Sequence, residues 1–394
     1  MQLSWSAEDE AFRAELARFL EEHCPPEARE YTRHPDVDAP SILPEWAREW
    51  QATLFDHGWM VPGYPPELGG RNATPVQTLI YLEELAARDI PRSLHFPGYA
   101  IVGPSLLEFG NADQRAMAPA AIRGDTVWCI GMSEPNAGSD LAGLQTRAAL
   151  DGDDFVVNGQ KVWTSYAMVA DKCMCYVRTN PDVPKHKGIS VLIVDVDTPG
   201  IDVRPIRHIT GPAEFAEVFF TDVRVPRANL LGELDAGWRI TTGSLAHERG
   251  GLWVGGVARC RATVDELVEV AQRRGLETDP GIRRDIAAVY EEATSLWALG
   301  HKGFAALSSG PSDGAGGAPE HSYMKLAYSE LLRGLFEMGM ELEGPFGAVT
   351  GGDGADMVWW RRFFASFAGT IAGGTSEIQR NIIAQRVLGL PRGA

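Results

Sequence analysis

The order of apolar and polar positions divides the chain into three zones. Between about residues 7 and 125 the spacing is helical: Phe12, Leu16, Phe19 and Leu20 recur at helical intervals, and Val76, Leu79, Ile80, Leu82 and Leu85 suggest a second helix. The stretch 61–70 between them is rich in Pro and Gly and reads as loop. From about 128 to 235 the period becomes that of strands, with β-branched runs at 174–178, 189–196, 217–220 and 223–225, the last closed by Pro226. Residues 155–163 read as two short strands turning at Asn158-Gly159, the dipeptide that a tight hairpin favours. From about 240 onward helical spacing returns over 252–270, 282–307, 323–342 and 377–388, with 308–319 a flexible connection by composition. The pattern predicts an α+β protein: an N-terminal helical domain (1–127), a middle antiparallel β domain (128–236) and a C-terminal four-helix-bundle domain (237–394). No GxGxxG follows a strand, which counts against a dinucleotide fold of the Rossmann kind.

Composition narrows the partners. A chain of 394 residues with 44% hydrophobic and 23% charged content is ordinary for a globular protein of two or three units. Its net charge of −17 argues against nucleic acid and anionic membrane surfaces, because both reward basic faces. A polyanionic ligand must then be held by local donors. The first twenty residues show no secretory signal, and no apolar run is long enough for a membrane span, so no membrane insertion is expected. The five cysteines (Cys24, Cys129, Cys173, Cys175, Cys260) have irregular spacing and complete no zinc motif, so no metal site is expected, and free thiols in a cytoplasmic protein are.

Four segments carry candidate chemistry. The loop Ser133-Glu134-Pro135-Asn136-Ala137-Gly138-Ser139-Asp140 offers backbone N–H groups and hydroxyls to an anion, or is a tight surface turn. Trp163, Thr164 and Ser165 place an indole and two hydroxyls together, to stack on a ring system or to end a strand in the core. Residues 245–257 hold four glycines in a helical stretch, each costing about 1 kcal/mol relative to Ala, which close approach of a neighbour or ligand would offset. On that helix Glu248, Gly251, Leu252 and Gly255 share a face, so Glu248 stands beside a thinned surface or forms a solvated pair with Arg249. Finally, Ser376 and Gln379 read as a capping box behind Gly373-Gly374, giving a helix N-terminus that faces a ligand or is simply a capped surface helix.

Taken together these segments resemble the acyl-CoA dehydrogenase family over essentially the whole chain. The carriers are 133–140, the Asn-Gly-Gln-Lys-x-Trp run at 158–163 and the Gly-Gly-Thr-Ser-Glu-Ile-Gln-Arg run at 373–380, in that order. The resemblance implies the fold of that family and FAD as cofactor. Carried over by position, it implies Met132 and Ser133 at the flavin ring, Ser139 at the pyrophosphate, Trp163 and Ser165 near flavin N5, Thr375 and Glu377 in the segment closing over the cofactor, and Arg249 toward coenzyme A. In many members the catalytic carboxylate precedes the Gly-Thr pair; here that position is Gly373, which has no side chain to take a proton. Other members carry the base on the Glu-Arg helix, which matches Glu248 and leaves Gly373 a backbone N–H donor to the thioester carbonyl. The implied reaction is α,β-dehydrogenation of an acyl-CoA thioester to the trans-2-enoyl-CoA, the hydride going to flavin N5 and the electrons to an electron-transfer flavoprotein.

A second departure concerns assembly. Many members carry an Arg-x-x-Phe-Gly segment that reaches the FAD of a neighbouring subunit, whereas residues 271–280 lack the Phe-Gly pair. The resemblance therefore implies either a homo-oligomer or a hetero-oligomer with a related subunit. Two other readings share the fold: a flavin-dependent monooxygenase or oxidase, and a catalytically silent partner subunit.

Overall fold

The structure is a computed structural model that describes residues 5–31, 43–211, 213–307, 319–348 and 358–391; the side chains of 30–31, 243–253, 302–307, 319–321, 348 and 358 lie outside that description. The chain opens with α1 (Ala7–His23), α2 (Pro26–Tyr31), α3 (Glu45–Asp56), α4 (Pro75–Ala87), α5 (Gly103–Phe109), α6 (Ala112–Ala116) and α7 (Ala118–Arg123). Eight strands follow: β1 (Trp128–Gly131), β2 (Arg147–Asp151), β3 (Asp154–Ser165), β4 (Lys172–Arg178), β5 (Ile189–Asp195), β6 (Ile201–Ile206), β7 (Phe215–Pro226) and β8 (Leu230–Leu231). The last third is helical: α8 (Gly237–Arg273), α9 (Pro280–Leu307), α10 (Pro319–Glu343), α11 (Val358–Ile371) and α12 (Ser376–Ile382). Helices, then strands, then helices is the order that the hydrophobic pattern predicts. Contacts gather into two compact units, one of Met1–Glu22, Thr74–Ile90 and Arg249–Ala394, the other of His23–Ala73 and Pro91–Glu248.

The second unit is built on one sheet, in the order β6-β7-β3-β2-β4-β5-β8, with β1 laid parallel on β4. Pairing is antiparallel apart from β1–β4 and a single β2–β4 contact at Arg147 and Arg178. Strand alternation sorts the interior into two cores. Met174 and Tyr176 of β4 and Val191 and Ile193 of β5 join Leu106, Ala121 and Trp128 in one. Cys173, Cys175, Val177, Leu192 and Val194 join Phe155, Val157, Val218 and Phe220 in the other. Because β4 and β5 are covered on both faces, they read as unbroken apolar runs rather than alternating ones.

One turn lies elsewhere than expected. Asn158-Gly159 is not a hairpin turn: β3 runs through it, and the register against β7 shifts between Val157 and Gly159. The Asn158 amide donates to Asp222 at 3.0 Å and its carbonyl accepts from the Asp222 N–H at 2.9 Å, which ties the bulge across the ladder. The tight turn is between β2 and β3, where Gly152 takes a left-handed φ of 64°.

In the first unit Val254, Val257, Cys260, Val264, Leu267 and Val270 form one stripe along α8. It packs with Ala293 and Leu296 of α9, Leu331 and Leu335 of α10, and Trp359 of α11, a helix that the sequence reading did not separate. Gly256 explains one of the helix glycines: a Cβ there would lie 2.5 Å from the Tyr328 ring. Gly255 faces open space. The arginine-rich end of α8 has an internal partner, since Arg273 and Arg274 both bond the buried carboxylate of Glu343. Among the described residues no helix is long and apolar enough to cross a membrane, and all five cysteines are buried and unpaired.

Candidate functional site

In the sheet unit the site residues converge where β1 runs out beside β3. Met132 follows the last residue of β1 and packs on the core that includes Trp128. At Lys161–Thr164 the β3–β7 register shifts again, freeing Val162 to donate its N–H to the Ser133 carbonyl at 3.0 Å. Trp163, in the shift, has a φ of 58° and is 57% exposed, touching Phe215 edge-on at a centroid distance of 5.9 Å. A left-handed non-glycine residue that leaves a large indole in the open is costly unless something uses that face. Ser165 is half-buried opposite Phe215. Thr164 Oγ1 is buried without a partner among the described residues.

Beneath this surface lies a charge pair. Lys161 has no exposed side-chain area, and its Nζ donates to Glu134 Oε1 at 2.8 Å and to the Met132 carbonyl at 3.2 Å. Glu134 also accepts from the N–H groups of Gln145 at 2.6 Å and Thr146 at 2.8 Å. Burial alone would raise the Glu134 pKa, but the Lys161 charge and bond, with the Thr146 and Gln145 donors, hold it below the usual range. Further along the loop Ser139 is exposed, and Asp140 pairs with Lys185 at 2.7 Å. Arg178 staples the loop from below, donating to Ala142 O at 2.6 Å, to Leu144 O at 3.3 Å and to Lys185 O. Arg178, Arg147 and Lys185 line an open groove of about 420 Å³ beside residues 142–145.

In the helical unit Gly373 and Gly374 have φ values of 65° and 96°, a left-handed turn that only glycine adopts cheaply. Gln379, fully buried, donates to Gly373 O at 2.8 Å, and the buried Lys325 of α10 donates to Gly374 O at 2.7 Å. The α12 cap is Thr375, whose hydroxyl accepts from the Ile378 N–H at 3.3 Å; the expected Ser376–Gln379 capping box does not form. Ser376 donates instead to Glu330 of α10. Glu377 is exposed, its carboxyl held low by its own backbone amide and the Thr375 hydroxyl. Glu248 and Arg249 belong to α8, and their side chains lie outside the described residues, as does that of Trp253.

The structure thus brings Met132, Ser133, Trp163 and Ser165 together where β1 ends beside β3, with Ser139 further along the loop that follows β1. It brings Gly373, Thr375 and Glu377 together at the start of α12. Sequence reasoning gave no role to Lys161, although it lies in the 158–163 run, nor to Arg178 or Lys325; the partners of all three lie tens of residues away. Lys161 alone left a signal: it follows Phe155 and Val157 on the inward parity of β3.

Comparison with known proteins identifies the family over nearly the whole chain. The acyl-CoA dehydrogenase N-terminal domain matches residues 6–125, the middle domain residues 129–223 and the C-terminal domain residues 235–388. Acyl-CoA dehydrogenase IpdE1 of Mycobacterium tuberculosis is 40% identical over 351 residues, 89% of each chain. Among solved structures, the Tcur3481-Tcur3483 steroid ACAD superposes with a TM-score of 0.84 at 30% identity over the full length of both chains. The ChsE4-ChsE5 complex from Mycobacterium tuberculosis does so with a TM-score of 0.80 at 33% identity, again over both full lengths. This chain belongs to the acyl-CoA dehydrogenase family of oxidoreductases.

Proposed function

We propose that the protein is an FAD-dependent dehydrogenase that converts a bulky, ring-bearing acyl-CoA thioester to its trans-2-enoyl form, with Glu248 as general base. FAD is the family cofactor, and the residues present suit a flat, polar-rimmed ring. Trp163 offers an indole face that the protein leaves 57% exposed, and beside it Thr164 keeps a buried hydroxyl without a partner among the described residues. Met132, Ser133, Trp163 and Ser165 would hold the ring, Ser139 the pyrophosphate, and Thr375 and Glu377 the segment over it. Bound FAD supplies the acceptor for the β-hydride.

The observation that carries the reading is the turn at Gly373. A side chain at φ 65° costs about 1–2 kcal/mol, and the carbonyls of Gly373 and Gly374 are fixed by Gln379 and Lys325. The turn therefore gives up a carboxylate and keeps a rigid backbone. Its Gly373 N–H polarises the thioester carbonyl, which acidifies the α-proton. Glu248, one turn before Gly251 on α8, removes that proton. Arg249 faces the coenzyme A portion. The protein's domains are 1–127, 128–236 and 237–394, and it works in the cytoplasm.

Support for the substrate and partner comes from likeness to a steroid ACAD and to a ChsE4-ChsE5 complex. A related second subunit fits residues 271–280, which lack the Phe-Gly pair, while Arg273 and Arg274 are engaged by Glu343 within this chain. An electron-transfer flavoprotein carries the electrons onward. The test is the visible spectrum of the purified protein under anaerobic titration with short-chain, branched and ring-bearing acyl-CoA thioesters. Bleaching of a flavin band by the ring-bearing class, lost in Glu248→Gln with the band retained, is the expected result. A yellow protein that no thioester bleaches would favour an oxygen-using enzyme, a colourless one a silent partner subunit, and an active Glu248→Gln enzyme would remove the assignment of the base.

A further inference from the structure

We propose that the buried Glu134–Lys161 pair is a positioning device beneath the flavin-facing loop that also sets the reduction potential of the bound cofactor. The inference rests on the flavin reading given above. A buried ion pair is weak evidence for stability, since well-packed apolar replacements are often neutral or better. Here Lys161 lies on β3 and Glu134 on the loop after β1, with side-chain exposures of 0% and 8%. The bonds that Lys161 and its neighbour Val162 make here fall on three consecutive residues. Lys161 holds the carbonyl of Met132, the neighbouring Val162 N–H holds that of Ser133, and Lys161 holds the side chain of Glu134. The Gln145 and Thr146 amides occupy the rest of the Glu134 carboxylate, so it cannot swing away. Met132 and Ser133 are thereby locked to the strand that carries Trp163 and Ser165.

The same bonds direct charge. A peptide unit is planar and trans, so its C=O and N–H point in opposite directions. An ammonium on the Met132 oxygen therefore aligns with the N–H of Ser133 on the far side of that peptide, and polarises it. Lys161 and Glu134 act on the loop with opposite signs at different distances. Among the described residues the other titratable groups facing Lys161 are the Cys173 and Cys175 thiols, both pushed far up and so neutral, while Glu134 also acts on Arg178. Removing one member of the pair leaves the other charge uncompensated beneath the flavin-facing residues.

The experiment is a dye-equilibrated reductive titration of the FAD-loaded protein and of Lys161→Met, Glu134→Gln and the double variant, together with the FAD dissociation constant of each. Lys161→Met leaves a carboxylate and shifts the equilibrium about tenfold toward the oxidised form, a fall of about 30 mV. Glu134→Gln leaves the cation and moves the potential the other way, and the double variant returns toward the parent. A merely structural role would weaken FAD binding in both single variants without giving shifts of opposite sign. Potentials that stay put, or move together, overturn the proposal. Should Lys161→Met fail to fold, the absence of a rise in Glu134→Gln overturns it alone. A protein with no flavin band removes the flavin reading and this inference together, whereas a yellow protein with unmoved potentials removes the inference only.

Discussion

Acid should open β1 through His95. This ring is fully buried: its Nε2 lies 3.0 Å from the Trp128 N–H and 2.9 Å from the Trp128 carbonyl, and Tyr166 stands edge-on at 5.7 Å. Its Nδ1 has no partner among the described residues, so a charged ring would find one backbone acceptor at most. Burial lowers the His95 pKa from 6.5 to about 4; the Trp128 bond and the Asp171 charge only partly oppose burial and Arg48. A depressed histidine pKa means that the unfolded chain binds the proton more readily. The stability it contributes is complete above 6.5, falls as pH drops through the interval, and is gone below about 4. The whole interval is worth about 3 kcal/mol, and about 2 kcal/mol of it is lost by about pH 5. Hydrogen exchange at the amides of Trp128–Gly131, corrected for intrinsic rates, reads this locally. His95→Leu should be less protected at neutral pH yet lose much less on acidification. Parallel loss in parent and variant would refute the reasoning. The consequence reaches the site, because β1 delivers Met132 and Ser133.

Two other perturbations separate the two units. Gly374→Ala forces a Cβ to 2.8 Å from Gln379 Nε2 at a φ of 96°; with the Gln379–Gly373 bond also lost, about 2–3 kcal/mol of local stability should go. Exchange over 376–382 should speed up while that over 128–131 stays constant, and uniform acceleration would contradict the local account. Arg178→Lys cannot hold Ala142, Leu144 and Lys185 carbonyls at once, so Ser139 should be less well placed and FAD binding should weaken about tenfold, a cost of about 1.4 kcal/mol measured by flavin fluorescence. Unchanged affinity would detach that loop from the cofactor.

Much of this architecture was legible because burial has a period. The stripe along α8 and the double-sided runs of β4 and β5 appear in the sequence as they appear in the fold. The errors have equally local causes. Asn158-Gly159 carries the signature of a turn, but pairing with Asp222 across β7 is the stronger demand, so the dipeptide serves a bulge. Asp151-Gly152 had a similar signature and made the turn. Thr375 and Ser376 are both competent caps, and the choice fell to whichever left the other free to reach Glu330. In α11 the aromatic residues come in adjacent pairs, Trp359-Trp360 and Phe363-Phe364, which blurs a helical stripe.

The candidate site divides along the same line. Residues that meet a ligand through backbone or a ring face need particular local conformations, and those leave marks in sequence: glycines at positive φ in Gly373-Gly374, a Ser-rich loop at 133–140, an indole next to a register shift. Residues that hold those conformations act through distant partners. Lys161 reaches back 27 residues to Glu134, and Lys325 reaches forward 49 to Gly374, so neither spacing forms a motif. A lysine on the inward parity of a strand is nonetheless a physical anomaly, since its burial without a partner would cost several kcal/mol. Such a residue predicts that a carboxylate or carbonyl must meet it, before any partner is known. Here the partner is the loop that the flavin reading depends on, which makes the buried pair a sharper probe of function than the exposed residues it supports.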